Sequence, residues 1–335
     1  MYEQIHIIDV TLRDGGYLNN WSFSAEEVLN VCAFSKHIGV EKMEIGYLSN
    51  DNCQTLVNGC PLPFLKKVAK FYQKRDLVGM LRPTEKNVDA ILSDRAPYIG
   101  LVRLPCTSDD IVKALAIAEI AHRYDIAVSI NIIIASMYTN DEIVKMLREL
   151  SQSKFVNVVY FADSRGALLP DEVANLISLA KSICPQSVGF HAHHHFGKGI
   201  ENSKIALDNG CTFIDGSMNG YGDGGGNASL GQLMATCFPS NQMYRSIEKT
   251  ISDFCEENLV LKFRGGRYTK LCRLCALKNI DHIWLDDLLD EYGDITEEVL
   301  CSLPKRKYKT LAEVLSLVNC YRSECGQFKV ILKTT

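Results

Sequence analysis

A (β/α)8 TIM barrel carrying a C-terminal helical appendage is the fold class that this sequence of 335 residues predicts. Three observations predict it. Eight β-branched apolar runs alternate with helix-patterned segments over about the first 240 residues, the length that eight strand–helix units need. Polar residues stand at or just past the C-terminal ends of several of those runs, where a barrel gathers its active site. The alternation stops near residue 245, and helical patterns alone follow. The chain therefore divides into a barrel domain, residues 1–244, and a mainly helical extension, residues 245–335.

Strands are expected over residues 5–10, 42–47, 77–81, 99–104, 127–134, 157–162, 188–193 and 213–217. Between them the 3.6-residue period marks helices over 25–37, 62–74, 108–124, 141–150, 171–183, 201–209 and 228–237. Helix starts are signalled by Ser24 before Ala25-Glu26-Glu27, Thr139-Asn140 before Asp141-Glu142, and Pro170 before Asp171-Glu172. In the extension, helices are expected over 246–259, 271–280, 285–292 and 311–324, with a basic stretch at 305–309. A doubly wound open sheet shares the alternation but gathers ligands near one switch point. Here Asp14, Glu44, Arg103, Asp163, His191, His193 and Asn219 come from strands one, two, four, six, seven and eight, which favours the barrel.

At 47% hydrophobic and 23% charged, the composition is that of an ordinary globular protein. A net charge of -4 argues against broad nucleic-acid or anionic-membrane binding. The longest apolar stretch, residues 127–135, is broken by Ser129 and Asn131 and is too short to span a bilayer. The start Met1-Tyr2-Glu3-Gln4 runs into a strand without signal-peptide character, which places the protein in the cytoplasm. Thirteen scattered cysteines fit reduced, mostly buried thiols. Cys272-Arg273-Leu274-Cys275 is a lone C-x-x-C; Cys301, Cys320 and Cys325 do not supply the second pair of a zinc site, and core packing is the expected role.

The chemistry centres on two distant segments, Thr11-Leu12-Arg13-Asp14-Gly15 and His191-Ala192-His193-His194-His195. Alternate strand residues share a face, so His191 and His193 present two imidazoles side by side. Asp14 adds a carboxylate and Arg13 a fixed positive charge. Two His and one carboxylate leave several positions open on a divalent ion, which suits a catalytic site. Gly15 and Gly16 let a ligand approach the backbone closely. Glu44 is placed to orient Arg13, Asp163 to support a histidine from behind, and Asp9 reads as a structural hydrogen-bonding residue. The Gly-rich loop 220–227 lacks the Gly-Lys-Ser/Thr of a P-loop. It either binds an anionic group through its N–H groups or serves as a turn, with Asn227 in reach of the ion or a substrate oxygen.

These residues resemble the DRE-TIM metallolyases (HMGL-like). The matching pieces are Thr11–Gly15, Glu44-Ile45-Gly46, Asp163-Ser164, His191-Ala192-His193-His194 and Gly226-Asn227-Ala228, in family order. His-Ala-His-His and Gly-Asn-Ala are most similar to the pyruvate-releasing branch, which includes 4-hydroxy-2-oxovalerate aldolase. The resemblance implies Mn²⁺ or Mg²⁺, with Co²⁺ or Zn²⁺ as alternatives, held by Asp14, His191 and His193, with Asn227 as a further ligand. It implies a carbon–carbon lyase acting on a small 2-oxo acid and an aldehyde through a pyruvate-like enolate stabilised by the ion and Arg13. An aldehyde dehydrogenase partner and a homo-oligomer also follow from it.

Two positions depart from the pattern. Where the pyruvate aldolases carry a basic His three residues after the metal Asp, this chain has Tyr17. Tyrosine, with an unperturbed pKa near ~10, is a poor base at neutral pH. Tyr17 is then an acid or hydrogen-bond donor, and the base is His194, His195 or a water on the ion. Gly231 stands where relatives commonly carry Glu. The alternatives are an acyl-CoA lyase or Claisen-type synthase on the same scaffold, or a catalytically altered barrel acting as subunit of a partner enzyme. A non-haem Fe(II) oxygenase would use the same ligand types, but the βα rhythm speaks against its usual fold.

Overall fold

The computed structural model describes residues 5–50 and 55–325. The Met1–Gln4 opening and the Cys325 thiol, both weighed above, lie outside the described residues. Eight parallel strands form the centre: β1 (His6–Asp9), β2 (Lys42–Leu48), β3 (Leu77–Met80), β4 (Leu101–Cys106), β5 (Ala127–Ile132), β6 (Val158–Asp163), β7 (Ser187–Ala192) and β8 (Phe213–Gly216). Each pairs with the next, and β1 pairs with both β8 and β2, which closes the barrel. A two-residue strand, Asn58–Gly59, adds to the end of β2. It was not foreseen, being too short to carry a period.

The surrounding helices are α1 (Ala25–His37), α2 (Leu62–Val68), α3 (Val88–Arg95), α4 (Ile111–Arg123), α5 (Asn140–Ser151), α6 (Pro170–Ile183), α7 (Gly199–Asp208) and α8 (Leu230–Cys237). Capping boxes start α1 and α5 where the sequence signals them. Glu27 N–H donates to Ser24 Oγ at 3.1 Å, and Thr139 N–H to Glu142 Oε2 at 2.7 Å. Helix α3 escaped the sequence reading because it buries only Ile91, Leu92 and Arg95, too narrow a stripe to give a clear period. Conversely, α2 stops at Val68, six residues short of the expected end.

Helices α9 (Ile247–Asn258), α10 (Gly266–Lys278), α11 (Leu285–Tyr292), α12 (Thr296–Ser302) and α13 (Leu311–Cys325) follow. The break in βα rhythm at 245 differs from the break in the core. Ile247, Ile251, Cys255, Leu259 and Leu261 belong to the barrel's hydrophobic cluster. Phe254 stacks on Phe34 of α1 with ring centres 3.9 Å apart, so α9 is a ninth helix of the outer ring. A separate cluster begins at Leu271 and includes Cys272 and Cys275, both fully buried in the packing role expected of them.

This second cluster is fastened to the C-terminal end of the barrel. Arg165, just past β6, donates to the carbonyls of Asn279 at 2.7 Å and Tyr308 at 3.0 Å, and its Nε lies 3.5 Å from Asp281. Ser136 Oγ reaches Asn279 Oδ1 at 2.9 Å. One buried guanidinium thus holds two segments of the helical layer. Replacing Arg165 by Ala strands these acceptors and should lower the stability of that layer by about 2–3 kcal/mol. Urea unfolding followed by Trp284 fluorescence, whose ring stacks under Arg165 at 5.4 Å, checks this. An unchanged Trp284 transition would show that the layer does not depend on the clamp.

Candidate functional site

The barrel mouth holds a cavity of about 530 Å³, within the range of small-molecule sites. Arg13, Asp14, Tyr17, His191 and His193 line it, together with Arg103 and Asn131 from neighbouring strands. Asp223, from the loop after β8, and Asp281, His282 and Ile283, from the helical layer, close its far side.

The ligand set forms because β1 ends in a single helical turn, Thr11–Asp14, directly against the end of β7. Asp9 fixes that turn: its Oδ1 accepts the Thr11 N–H at 2.8 Å and its Oδ2 the Ser35 hydroxyl at 2.7 Å. One ligand atom each from Asp14, His191 and His193 then lies within 4.8 Å of the others, all buried. Among the described residues this is the one such group of donors. His191 Nδ1 donates to Asp215 Oδ2 at 2.8 Å, leaving Nε2 to face Asp14 at 3.8 Å. His193 Nδ1 lies 3.1 Å from His195 Nε2.

Burial opposes the charge on Asp14, but Arg13, then His191 and His193, outweigh it and hold its pKa below the ordinary carboxylate range. Burial and then His195 push the His193 pKa well down, so its imidazole is neutral. A deprotonated carboxylate beside a neutral imidazole is the protonation state that cation ligands need. Asn227 joins the set through an antiparallel bridge to His193. Its Nδ2 donates to Asp14 Oδ2 and to the Tyr221 carbonyl. Its Oδ1 is buried without a hydrogen-bond partner. The donor set fits a hard or borderline divalent ion.

Arg13 points at this set. Its Nη1 contacts Asp14, and its Nε donates to Glu44 Oε2 at 2.7 Å. Behind it, fully buried Arg103 bridges Glu44, with Nη1 at 3.4 Å, and Asp215, with Nη2 at 2.7 Å. The Tyr160 hydroxyl also donates to Asp215, and the Tyr160 ring lies under Arg103 at 4.3 Å. Room for that ring comes from Gly189, its neighbour on β7, where a Cβ would stand 2.0 Å from the ring. Burial would raise the Asp215 pKa, but Arg103 and the His191 hydrogen bond bring it to about 2.

The partner of His191 is therefore Asp215, which the sequence reading passed over because it sits inside β8. Asp163, expected in that role, instead accepts the N–H groups of Ala167 at 3.0 Å and Leu168 at 3.1 Å. Burial pushes its pKa to about 7. Asn219 does not line the cavity; it adopts a positive φ of 51° beside Tyr221.

Tyr17 lines the cavity with its hydroxyl 3.0 Å from that of Tyr47. Partial burial of this 41% exposed side chain, and then Tyr47, raise its pKa above the ordinary 10, so its hydroxyl is neutral. His194, offered as a base, lies just past the end of β7. Its Nδ1 lies 3.0 Å from where a Cβ on Gly199 would be, at the start of α7, and it does not line the cavity. His195 is buried, with Nε2 3.1 Å from the Asp223 carbonyl. Burial and then His282 lower its pKa to about 3. Gly231 packs against Glu248 of α9, whose Cγ would be 2.9 Å from a Cβ there.

The loop 220–227 presents the Asp223 carboxylate to the cavity. Asp223 Oδ1 accepts the Gly224 N–H at 2.8 Å, and Oδ2 lies 3.1 Å from His282 Nε2. Burial opposes protonation of His282, but Asp223 outweighs it and raises the pKa. Nothing in the helical pattern around His282 marked it, because its place over the barrel is a tertiary fact.

The description HMGL-like matches residues 4–240. The chain is 29% identical over 240 residues to a 4-hydroxy-2-oxovalerate aldolase from Brevibacillus brevis, covering 70% of each. It is 22% identical over 233 residues to an oxaloacetate decarboxylase from Mycobacterium tuberculosis, covering 68% of each. Its fold superimposes on the N-terminal domain of a Bacteroides vulgatus protein with a TM-score of 0.74 at 23% identity, over 88% of this chain and 99% of that one. The carboxyl transferase domain of Rhizobium etli pyruvate carboxylase shares the fold at a TM-score of 0.66 and 13% identity, over 89% and 55%. Matched over most of its length and built around the residues just described, the chain belongs to the HMGL-like family, an enzyme of the aldolase/lyase class.

Proposed function

We propose that this enzyme is a divalent-metal-dependent carbon–carbon lyase of the aldolase type, cleaving or forming the bond next to a 2-oxo acid through a pyruvate-like enolate. The observation that carries this reading is the convergence of Asp14, His191 and His193 beside Arg13 in one cavity. Mn²⁺ or Mg²⁺ bound to the three ligands supplies Lewis acidity toward the keto and carboxylate oxygens of the substrate.

The protein's own groups do the rest. Arg13, fixed by Glu44 and Asp14, presents a positive charge that needs no reorganisation as negative charge develops on the keto oxygen. Asp215 fixes the His191 ring, and His195 the His193 ring. Tyr17 offers its hydroxyl as a hydrogen-bond donor to a substrate oxygen. Met80, Pro105 and Ile133 form an apolar wall suited to a short aldehyde chain. Similarity to 4-hydroxy-2-oxovalerate aldolases supports the substrate class. The same reading includes an aldehyde dehydrogenase that consumes the aldehyde, and further copies of this chain as partners. Among the described residues no helix is long and apolar enough to cross a membrane; location in the cytoplasm is part of the proposal.

Proton exchange at the methyl group of pyruvate in D2O, followed by NMR, tests the reading without knowledge of the aldehyde. Mn²⁺-loaded protein should exchange and chelated protein should not. Bound metal without exchange would turn the assignment toward an acyl-CoA substrate or a catalytically altered barrel. Asp14→Asn and His193→Ala should each abolish Mn²⁺ binding by calorimetric titration while circular dichroism shows the barrel intact. Retained binding in both would sink the ligand assignment. Arg13→Ala should keep Mn²⁺ and lose exchange by roughly 10²-fold, about 3 kcal/mol, as for loss of an oxyanion donor. A loss below about tenfold would place Arg13 away from the reacting centre.

A further inference from the structure

Position 17 holds a neutral tyrosine, and His194 is not among the residues that line the cavity. His195 is committed to His193 and to the Asp223 carbonyl. The cavity therefore lacks a proton acceptor from the barrel strands, yet it contains one histidine that no strand supplies. His282 comes from the helical layer, is 4% exposed, and lines the cavity. Its ring centre is 4.5 Å from that of His195 and 6.3 Å from that of His193, which puts it in the same cavity as the three candidate ligands.

The arrangement around His282 is built for one ring orientation. Nε2 stands 3.1 Å from Asp223 Oδ2. Among the described residues neither ring nitrogen has a partner in hydrogen-bond geometry: Nε2 meets Asp223 at ion-pair distance, and Asp281 Oδ1, 3.9 Å from Nδ1, is beyond hydrogen-bond range. Gly224 lies under the ring, where a Cβ would come within 2.6 Å of His282 Cδ2. Its φ of +60° is one that glycine adopts without strain. Arg165 holds the segment from the other side through the Asn279 carbonyl and Asp281. A carboxylate on one imidazole nitrogen and an unpartnered second nitrogen form the base–orienter pair of general acid–base sites.

We infer that the Asp223–His282 pair is the proton-transfer group of this enzyme, supplied by the C-terminal layer in place of a base from the barrel. The inference rests on the aldolase reading above. In cleavage of a 4-hydroxy-2-oxo acid, Nδ1 takes the proton of the 4-hydroxyl, and the O–H electron pair becomes the second bond of the new aldehyde carbonyl. The pair of the C3–C4 bond passes to C3 as the enolate of the 2-oxo acid. The imidazolium then returns the proton to C3, and His282 ends neutral. Asp223 keeps the ring oriented and offsets its transient charge.

The test is methyl-proton exchange of pyruvate by the Mn²⁺-loaded full chain, alongside calorimetric Mn²⁺ titration. His282→Gln should bind Mn²⁺ within about threefold of the wild type and lose exchange by roughly 10²-fold or more, the usual share of a general base. In His282→Ala, added imidazole should restore part of the exchange, which a purely structural histidine would not allow. Exchange by His282→Gln at the wild-type rate overturns the inference and leaves the aldolase reading standing. Loss of Mn²⁺ affinity in both variants also overturns it, by making His282 part of the ion's site. No exchange by the metal-loaded wild type overturns the aldolase reading and the inference with it.

Discussion

The buried guanidinium of Arg103 is the interaction on which the site depends. It has no exposed surface and lies between Glu44 and Asp215. Each of those carboxylates then holds a working residue: Glu44 the Nε of Arg13, Asp215 the Nδ1 of His191. A buried charge without a partner costs several kcal/mol, so none of these groups can turn away without stranding another. The chain Arg13–Glu44–Arg103–Asp215–His191 links β1, β2, β4, β7 and β8 across the barrel. Within it two carboxylates meet two guanidiniums; Asp14, attached through Arg13, adds a third carboxylate beside the two histidines. That additional carboxylate is the one the proposed cation would meet.

Around this rigid centre the variable parts come from loops and from the helical layer. The closed sheet fixes the direction of every strand end, so changes in the loops above it do not disturb Asp14, His191 or His193. Tyr17 in place of a base and Gly231 in place of a side chain are changes of this kind. Glu248 takes the space beside Gly231, and the Tyr17 hydroxyl is tied to Tyr47. The barrel thus keeps the Arg13–Glu44–Arg103–Asp215 chain, while Asp223 and His282 reach the cavity from a loop and from the helical layer.

The helical layer is part of the site and not an appendage beside it. Its own core, from Leu271 to Val318, gives it internal packing. Arg165 and Ser136 connect it to the loops after β6 and β5. Asp281, His282 and Ile283 are thereby held over the cavity.

By itself the sequence determined the barrel and pointed to the three residues that the fold brings together as candidate ligands. Strand periodicity, capping residues such as Ser24 and Thr139, and alternation within His191-Ala192-His193 are local signals, carried by neighbours within a few residues. Asp14 was legible because it follows the first strand directly. What tertiary structure alone decided are the pairings between distant segments. Asp215, buried within β8, reads as any strand residue until β7 brings His191 to 2.8 Å from it. Asp163 and Asp215 look equivalent in sequence, and only the local turn after β6, which offers two free N–H groups, diverts Asp163 from the histidine. His282 lies in a segment with no strand signal at all, and its role depends on the way Arg165 docks that segment. Periodicity records which face a side chain takes; it carries no information about which remote face it will meet.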